Sequence, residues 1–108
     1  MKFYLSKDQI KQIYTHKGNS GCMASNRITI DGMKVGYMYR EENSENFPDS
    51  GWRFFAGDES EEYTNHPNHF HIFDLNTICN YDPDIIPYLN APIGTYWVRY
   101  KNKFVEDE

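Results

Sequence analysis

The sequence predicts an α+β domain, an antiparallel sheet of four to six strands with short helices packed against it. Three observations carry this. Strand-sized apolar or alternating runs recur at residues 26–40, 52–56, 70–73 and 95–100. Helix-start signals stand around them at Ser6, Asp74 and Asp82, each with room for only a short helix. Finally, 108 residues with 17% aromatic side chains fit one domain able to bury a core without a disulfide or metal staple.

Element by element, Ser6 and Gln9 form a capping box, and Ile10, Ile13 and Tyr14 follow at helical spacing, predicting a helix over 7–16 ended by Gly18. Asn26 to Arg40 reads as a β-hairpin. Asp31-Gly32 is its two-residue turn, pairing Ile30 with Met33 and Ile28 with Val35. Met33, Val35, Tyr37 and Tyr39 then form the apolar face, opposite Lys34, Gly36, Met38 and Arg40. Glu41 to Ser50, rich in Asn, Pro and Asp, is a loop. Trp52 to Ala56 is a third strand beside the hairpin, apolar on both faces and therefore central or covered by a helix.

Asp58 to Tyr63 predicts one helical turn with its acids at the favourable N-terminus, and Asn65 to Asn68 a turn. Phe70 to Phe73 is a short strand, and Asp74 caps a helix through Leu75, Ile78 and Cys79. Asp82-Pro83 starts another helix, which Pro87 confines to a turn or two. After the connector Ala91–Gly94, Thr95 to Tyr100 is a strand, and Lys103-Phe104-Val105 adds a pairing before the acidic tail.

The net charge of −5 is unevenly spread. Residues 41–62 hold eight acids (Glu41, Glu42, Glu45, Asp49, Asp58, Glu59, Glu61, Glu62) against Arg53 alone, a net −7, whereas residues 1–17 carry +3. Such a segment repels phosphates, which argues against nucleic acid, and attracts a basic partner or simply stays solvated. No apolar run approaches the ~18 residues of a bilayer span. The opening residues lack a signal-peptide core, which predicts a cytosolic location. In that reducing compartment Cys22 and Cys79 read as buried thiols.

Chemistry-bearing patterns are sparse. His66, His69 and His71 make a His-x-x-His-x-His cluster with acids upstream, the one candidate metal set. Ser25, Ser50 and Ser60 occupy no nucleophile elbow, and the seven glycines form no phosphate loop. Asp49 and Asp58 bracket the Trp52 strand and fit turn or cap roles better than an acid–base pair. Trp52 and Trp97 are core candidates, although a partly exposed Trp52 beside an acidic rim would also serve as a binding anchor.

Several blocks together resemble a bacterial domain family. They are Cys22–Gly32, Val35–Glu41, Asp49-Ser50-Gly51-Trp52-Arg53-Phe54, Gly57-Asp58-Glu59, Asp74–Ile78 and Asn80–Leu89. That family was first described as a domain of unknown function and later as a predicted immunity-protein family of polymorphic toxin systems. The resemblance covers residues 20–100. It implies an α+β domain, without a catalytic residue to transfer, that binds and neutralises a toxin in the producing cell.

Two readings follow. The first is a non-catalytic, cofactor-free immunity protein whose partner, a basic toxin domain, docks on Asp49, Trp52, Asp58, Glu59, Glu61 and Glu62. The second is a small-ligand or metal-binding domain built on His66, His69 and His71.

Overall fold

The computed structural model describes residues 2–42 and 48–108. The predicted loop at 41–50 therefore lies partly, and Glu45 wholly, outside the described residues. Among the described residues six strands form one sheet: β1 (Gly21–Ser25), β2 (Tyr37–Arg40), β3 (Trp52–Phe55), β4 (Phe70–Asp74), β5 (Tyr96–Tyr100) and β6 (Lys103–Glu106). Their spatial order is β4-β1-β3-β2-β5-β6. All neighbours are antiparallel except β1 and β3, which run parallel with Met23 opposite Arg53. With short helices α1 (Asn26–Thr29), α2 (Glu61–Thr64) and α3 (Leu75–Tyr81), the architecture is α+β, as expected. Among the described residues no helix is long and apolar enough to cross a membrane.

One sheet face is closed. Cys22, Ala24, Met38, Trp52 and Phe54 point into a core completed by Ile28 of α1, Leu75, Ile78 and Cys79 of α3, and Ile85 and Leu89 around the 3₁₀ segment Pro83–Tyr88. The caps that start these helices are those expected: Asp74 accepts from the Asn76 amide (3.0 Å) and Asp82 from the Asp84 amide (3.1 Å). The central strand and the final β5–β6 pairing also follow the sequence reading.

Two expectations fail and one strand was unforeseen, for identifiable reasons. The predicted helix at 7–16 is a single 3₁₀ turn, Lys7–Gln9, although its box bond from the Ser6 amide to Gln9 Oε1 forms at 2.7 Å. The Ile10 amide closes that turn on the Lys7 carbonyl (3.3 Å), and beyond it the amides find partners on α3. Lys11 donates to Asn80 Oδ1 (2.9 Å), and Ile13 and Tyr14 donate to Asn76 Oδ1 (2.9 and 3.0 Å). The segment is thereby laid extended along α3.

The hairpin is absent as well. Ser25 caps a helical turn by accepting from the Arg27 amide at 3.1 Å, and Asp31-Gly32 ends that turn. At φ 81° Gly32 donates to the Ile28 carbonyl at 3.0 Å, a use of left-handed glycine that competes directly with the hairpin turn. The Arg27–Asp31 ion pair at 2.9 Å spans the helical i,i+4 spacing. The strand half at 37–40 survives, but with its faces inverted. Met38 is the buried side chain, and Tyr37 and Tyr39 lie on the opposite face.

Finally, β1 has no counterpart in the sequence reading. Its small Cys22 and Ala24 give little alternation signal, and its parallel pairing is a long-range event.

Candidate functional site

The sheet's second face is open. Strand alternation and register place Ile72, Met23, Arg53, Tyr39 and Tyr96 in one row across five strands, and Phe55, Tyr37, Val98 and Val105 in the next. Tyr100 stands beyond them, paired with Lys103. The rings form a continuous band. Tyr39 stacks on Phe55 (5.8 Å) and on Tyr96 (5.3 Å), Tyr37 leans on Phe55 (6.0 Å), and Phe70 meets Phe55 edge-on (5.6 Å). This band is wet: Ile72 is 81% exposed, Tyr100 61%, Val105 53%, Tyr96 43% and Val98 40%. Contiguous apolar area of this kind on a folded surface marks an interaction site, and tyrosine is the side chain interfaces favour.

The predicted acids are divided by the strand they bracket. Asp49 lies at the start of β3, where Ser50 donates to the Gly21 carbonyl at 2.8 Å. Its carboxylate accepts from the Gly51 amide (2.7 Å) and from Arg53 Nη1 (3.0 Å), while Glu41 takes Arg53 Nε at 2.7 Å. Burial opposes the charge of Arg53, but these bonds outweigh it and hold the guanidinium above its usual range.

Asp58, Glu59, Glu61 and Glu62 lie past the other end of β3. Asp58 pairs with Arg27 (2.6 Å), and that bond holds its carboxyl below the usual range. The parallel β1–β3 pairing makes this contact, since it brings the residues that follow the two strands together. Glu59 folds back to accept the Ala56 and Gly57 amides at 2.8 and 2.9 Å. Glu61 and Glu62 are exposed in the first turn of α2, whose Thr64 borders the open face.

Trp52 is the correction. It is fully buried on the closed face, with its indole N–H bonded to the Leu89 carbonyl at 3.0 Å, so it presents nothing to a partner. Its neighbours Arg53 and Phe55 face outward instead, because successive strand residues alternate.

The histidines do not converge. His66 and His69 have neighbouring rings (5.1 Å), and His69 stacks on Tyr63 while bonding its carbonyl (2.8 Å). His71 is on the other side of β4 from Ile72, against Asn26 Oδ1 (2.8 Å) and the Phe3 ring. Among the described residues no three His, Cys, Asp or Glu side chains are grouped to hold a metal ion. Cys22 and Cys79 are buried free thiols, as expected, and burial pushes the Cys79 thiol up to about 12.

The aromatic band was missed in the sequence because tyrosine was counted with the core-facing residues. A usable signal existed: Tyr37-x-Tyr39 and Tyr96-x-Val98-x-Tyr100 alternate with Met38 and Trp97, which are the better core formers.

A family model described as the immunity protein Imm33 domain matches residues 22–107. The chain belongs to the Imm33 immunity-protein family. No curated protein and no solved structure matches it. The Imm33 match takes in β1 from Cys22 and the whole of β2 to β6, so both the open face and the residues at the two ends of β3 lie within the family domain.

Proposed function

We propose that this Imm33 domain acts in the cytosol as a non-catalytic, stoichiometric inhibitor, neutralising a toxin by docking it on the open sheet face. The exposed band of Tyr96, Val98, Tyr100, Ile72 and Val105 around half-buried Tyr37, Tyr39 and Phe55 is the observation that carries the reading. Such a face supplies the apolar centre of an interface, and its acids supply the rim. Glu59, Glu61, Glu62 and the Arg27-paired Asp58 edge it at one end, and Asp49 with Glu41 at the other. A rim dominated by carboxylates favours a basic toxin surface and speeds its approach.

The test screens candidate toxin domains from adjacent genes and takes as the partner one that this chain binds. The Ile72→Lys, Tyr96→Lys double variant alters two exposed side chains on opposite flanks of the face. Losing each apolar contact and placing a lysine ammonium in its stead should cost about 2 kcal/mol, so calorimetry should show affinity falling by about a thousandfold. Asp8→Lys, on the far N-terminal segment, should leave affinity unchanged. Unaltered binding by the double variant refutes the proposed face.

A further inference from the structure

Beside Glu59 the open face dips into a depression of about 350 Å³ walled by Tyr37, Phe55, Val98 and Thr64. Two glycines make its floor. A Cβ on Gly36 would lie 2.0 Å from the Ala56 carbonyl oxygen, and Gly57 adopts φ 99° against Gly36. The close approach is fastened by the Gly36 amide on the Phe55 carbonyl at 2.9 Å. The motif Gly57-Asp58-Glu59 thus builds one wall of a cleft.

A carboxylate held in one orientation distinguishes this cleft from the rest of the rim, where Glu61 and Glu62 stand exposed on α2. Asp58 and Asp31 share Arg27, and Asp49 and Glu41 share Arg53. Glu59 bonds only neutral donors among the described residues, the Ala56 and Gly57 amides, which fix its orientation and leave its negative charge uncompensated. Asp107, tied to the Tyr96 carbonyl through its own amide at 2.7 Å, is a second carboxylate whose field reaches Tyr37.

The Tyr37 and Phe55 rings lean on each other, 6.0 Å apart at 47°, and both border the depression beside the Glu59 carboxylate. Aromatic faces and a fixed anion attract a cation; a single carboxylate among rings is a poor nest for a hard metal ion, which needs several oxygens. A planar guanidinium can stack on a ring and bond a carboxylate at once, which an ammonium does less well.

We infer that this depression is an arginine subsite: it receives one arginine side chain of the protein partner, packed against the Tyr37 and Phe55 rings that line it and bonded to Glu59. This rests on the docking reading above and names the chemistry its partner must bring.

The subsite is tested without the toxin, by NMR titration of the labelled protein with N-acetyl-arginine methylamide and its neutral isostere N-acetyl-citrulline methylamide. The arginine probe should shift the Tyr37, Phe55 and Val98 side chains and the Gly57 amide at millimolar concentration. The citrulline probe should not. Glu59→Gln, which preserves the side-chain shape and an acceptor, and Phe55→Leu should each weaken the response by about tenfold. Scattered shifts, equal response to citrulline, or an unchanged response in both variants overturns the subsite. Because Ile72 and Tyr96 do not line the depression, the face variant and the probe titration fail independently.

Discussion

Asp82 is the side chain whose removal should cost this fold most for its size. Its carboxylate is fully buried and serves three elements at once. Oδ2 accepts the Val35 amide at 2.9 Å and Nη2 of Arg99 from β5, and Oδ1 caps the following 3₁₀ segment through the Asp84 amide. Breaking a buried ion pair costs about 3–5 kcal/mol, and losing the cap about 1. These overlap, and Arg99 keeps its bonds to the Val35 carbonyl (2.6 Å) and to Asp84 (3.1 Å), so Asp82→Ala should cost about 4 kcal/mol.

Against a usual stability of about 5–15 kcal/mol that is a large share, and it corresponds to a fall in Tm of roughly 15–30 °C. Urea unfolding followed by the fluorescence of buried Trp52 and half-buried Trp97 measures it, with Asp84→Ala as the internal control. Asp84 contacts the same arginine from an exposed position (44% accessible side chain), and its loss should cost about 0–1 kcal/mol. If Asp82→Ala loses under about 1.5 kcal/mol, or no more than Asp84→Ala, the network does not join the sheet to the segment at 83–88.

Two further outcomes follow from the turns that flank β3. The Arg27 bond depresses the Asp58 carboxyl in the folded state, whereas in the unfolded chain it titrates near the ordinary ~3.9. Its stabilisation is therefore complete above about pH 3.9 and disappears as pH falls through the depressed folded value. Asp58→Asn should flatten that acid limb of a urea-midpoint profile, and a limb parallel to the parent's would refute the pairing. At Gly36 an added methyl meets backbone, the Ala56 carbonyl oxygen at 2.0 Å, so the strands must part. Gly36→Ala should lose more than about 2 kcal/mol or fail to fold, whereas Gly18→Ala, which has φ 94° but meets nothing within 4 Å, should lose about 1. Equal thermal midpoints for the two would contradict the close approach.

What could be read before folding was the local chemistry. Asp74 and Asp82 cap because their carboxylates reach the amide two residues on, a contact that needs no tertiary partner. Trp52–Phe55 is a strand as expected; its two apolar faces implied a central place or cover by a helix, and it is central with Trp52 and Phe54 covered and the Phe55 side open. The Asp31-Gly32 turn shows the limit of such reasoning. A left-handed glycine suits a hairpin and a helix end equally, and the choice fell to long-range pairings of β1, β2 and β3. The candidate site divides in the same way. The acids were visible as composition, but their separation to opposite ends of β3 and the pairing of Asp58 with Arg27 and of Asp49 with Arg53 were not.

By itself, then, the amino-acid order determined an α+β chain with capped short helices, a central aromatic strand and a surplus of carboxylates, because propensity, capping and charge act over a few residues. Tertiary structure alone decided which face of that strand meets water. Covering one side of the sheet with α1, α3 and the 83–88 segment buried Trp52 and left Phe55 and the tyrosines outward. Strand alternation permits either choice, and only the packing of distant elements selects between them.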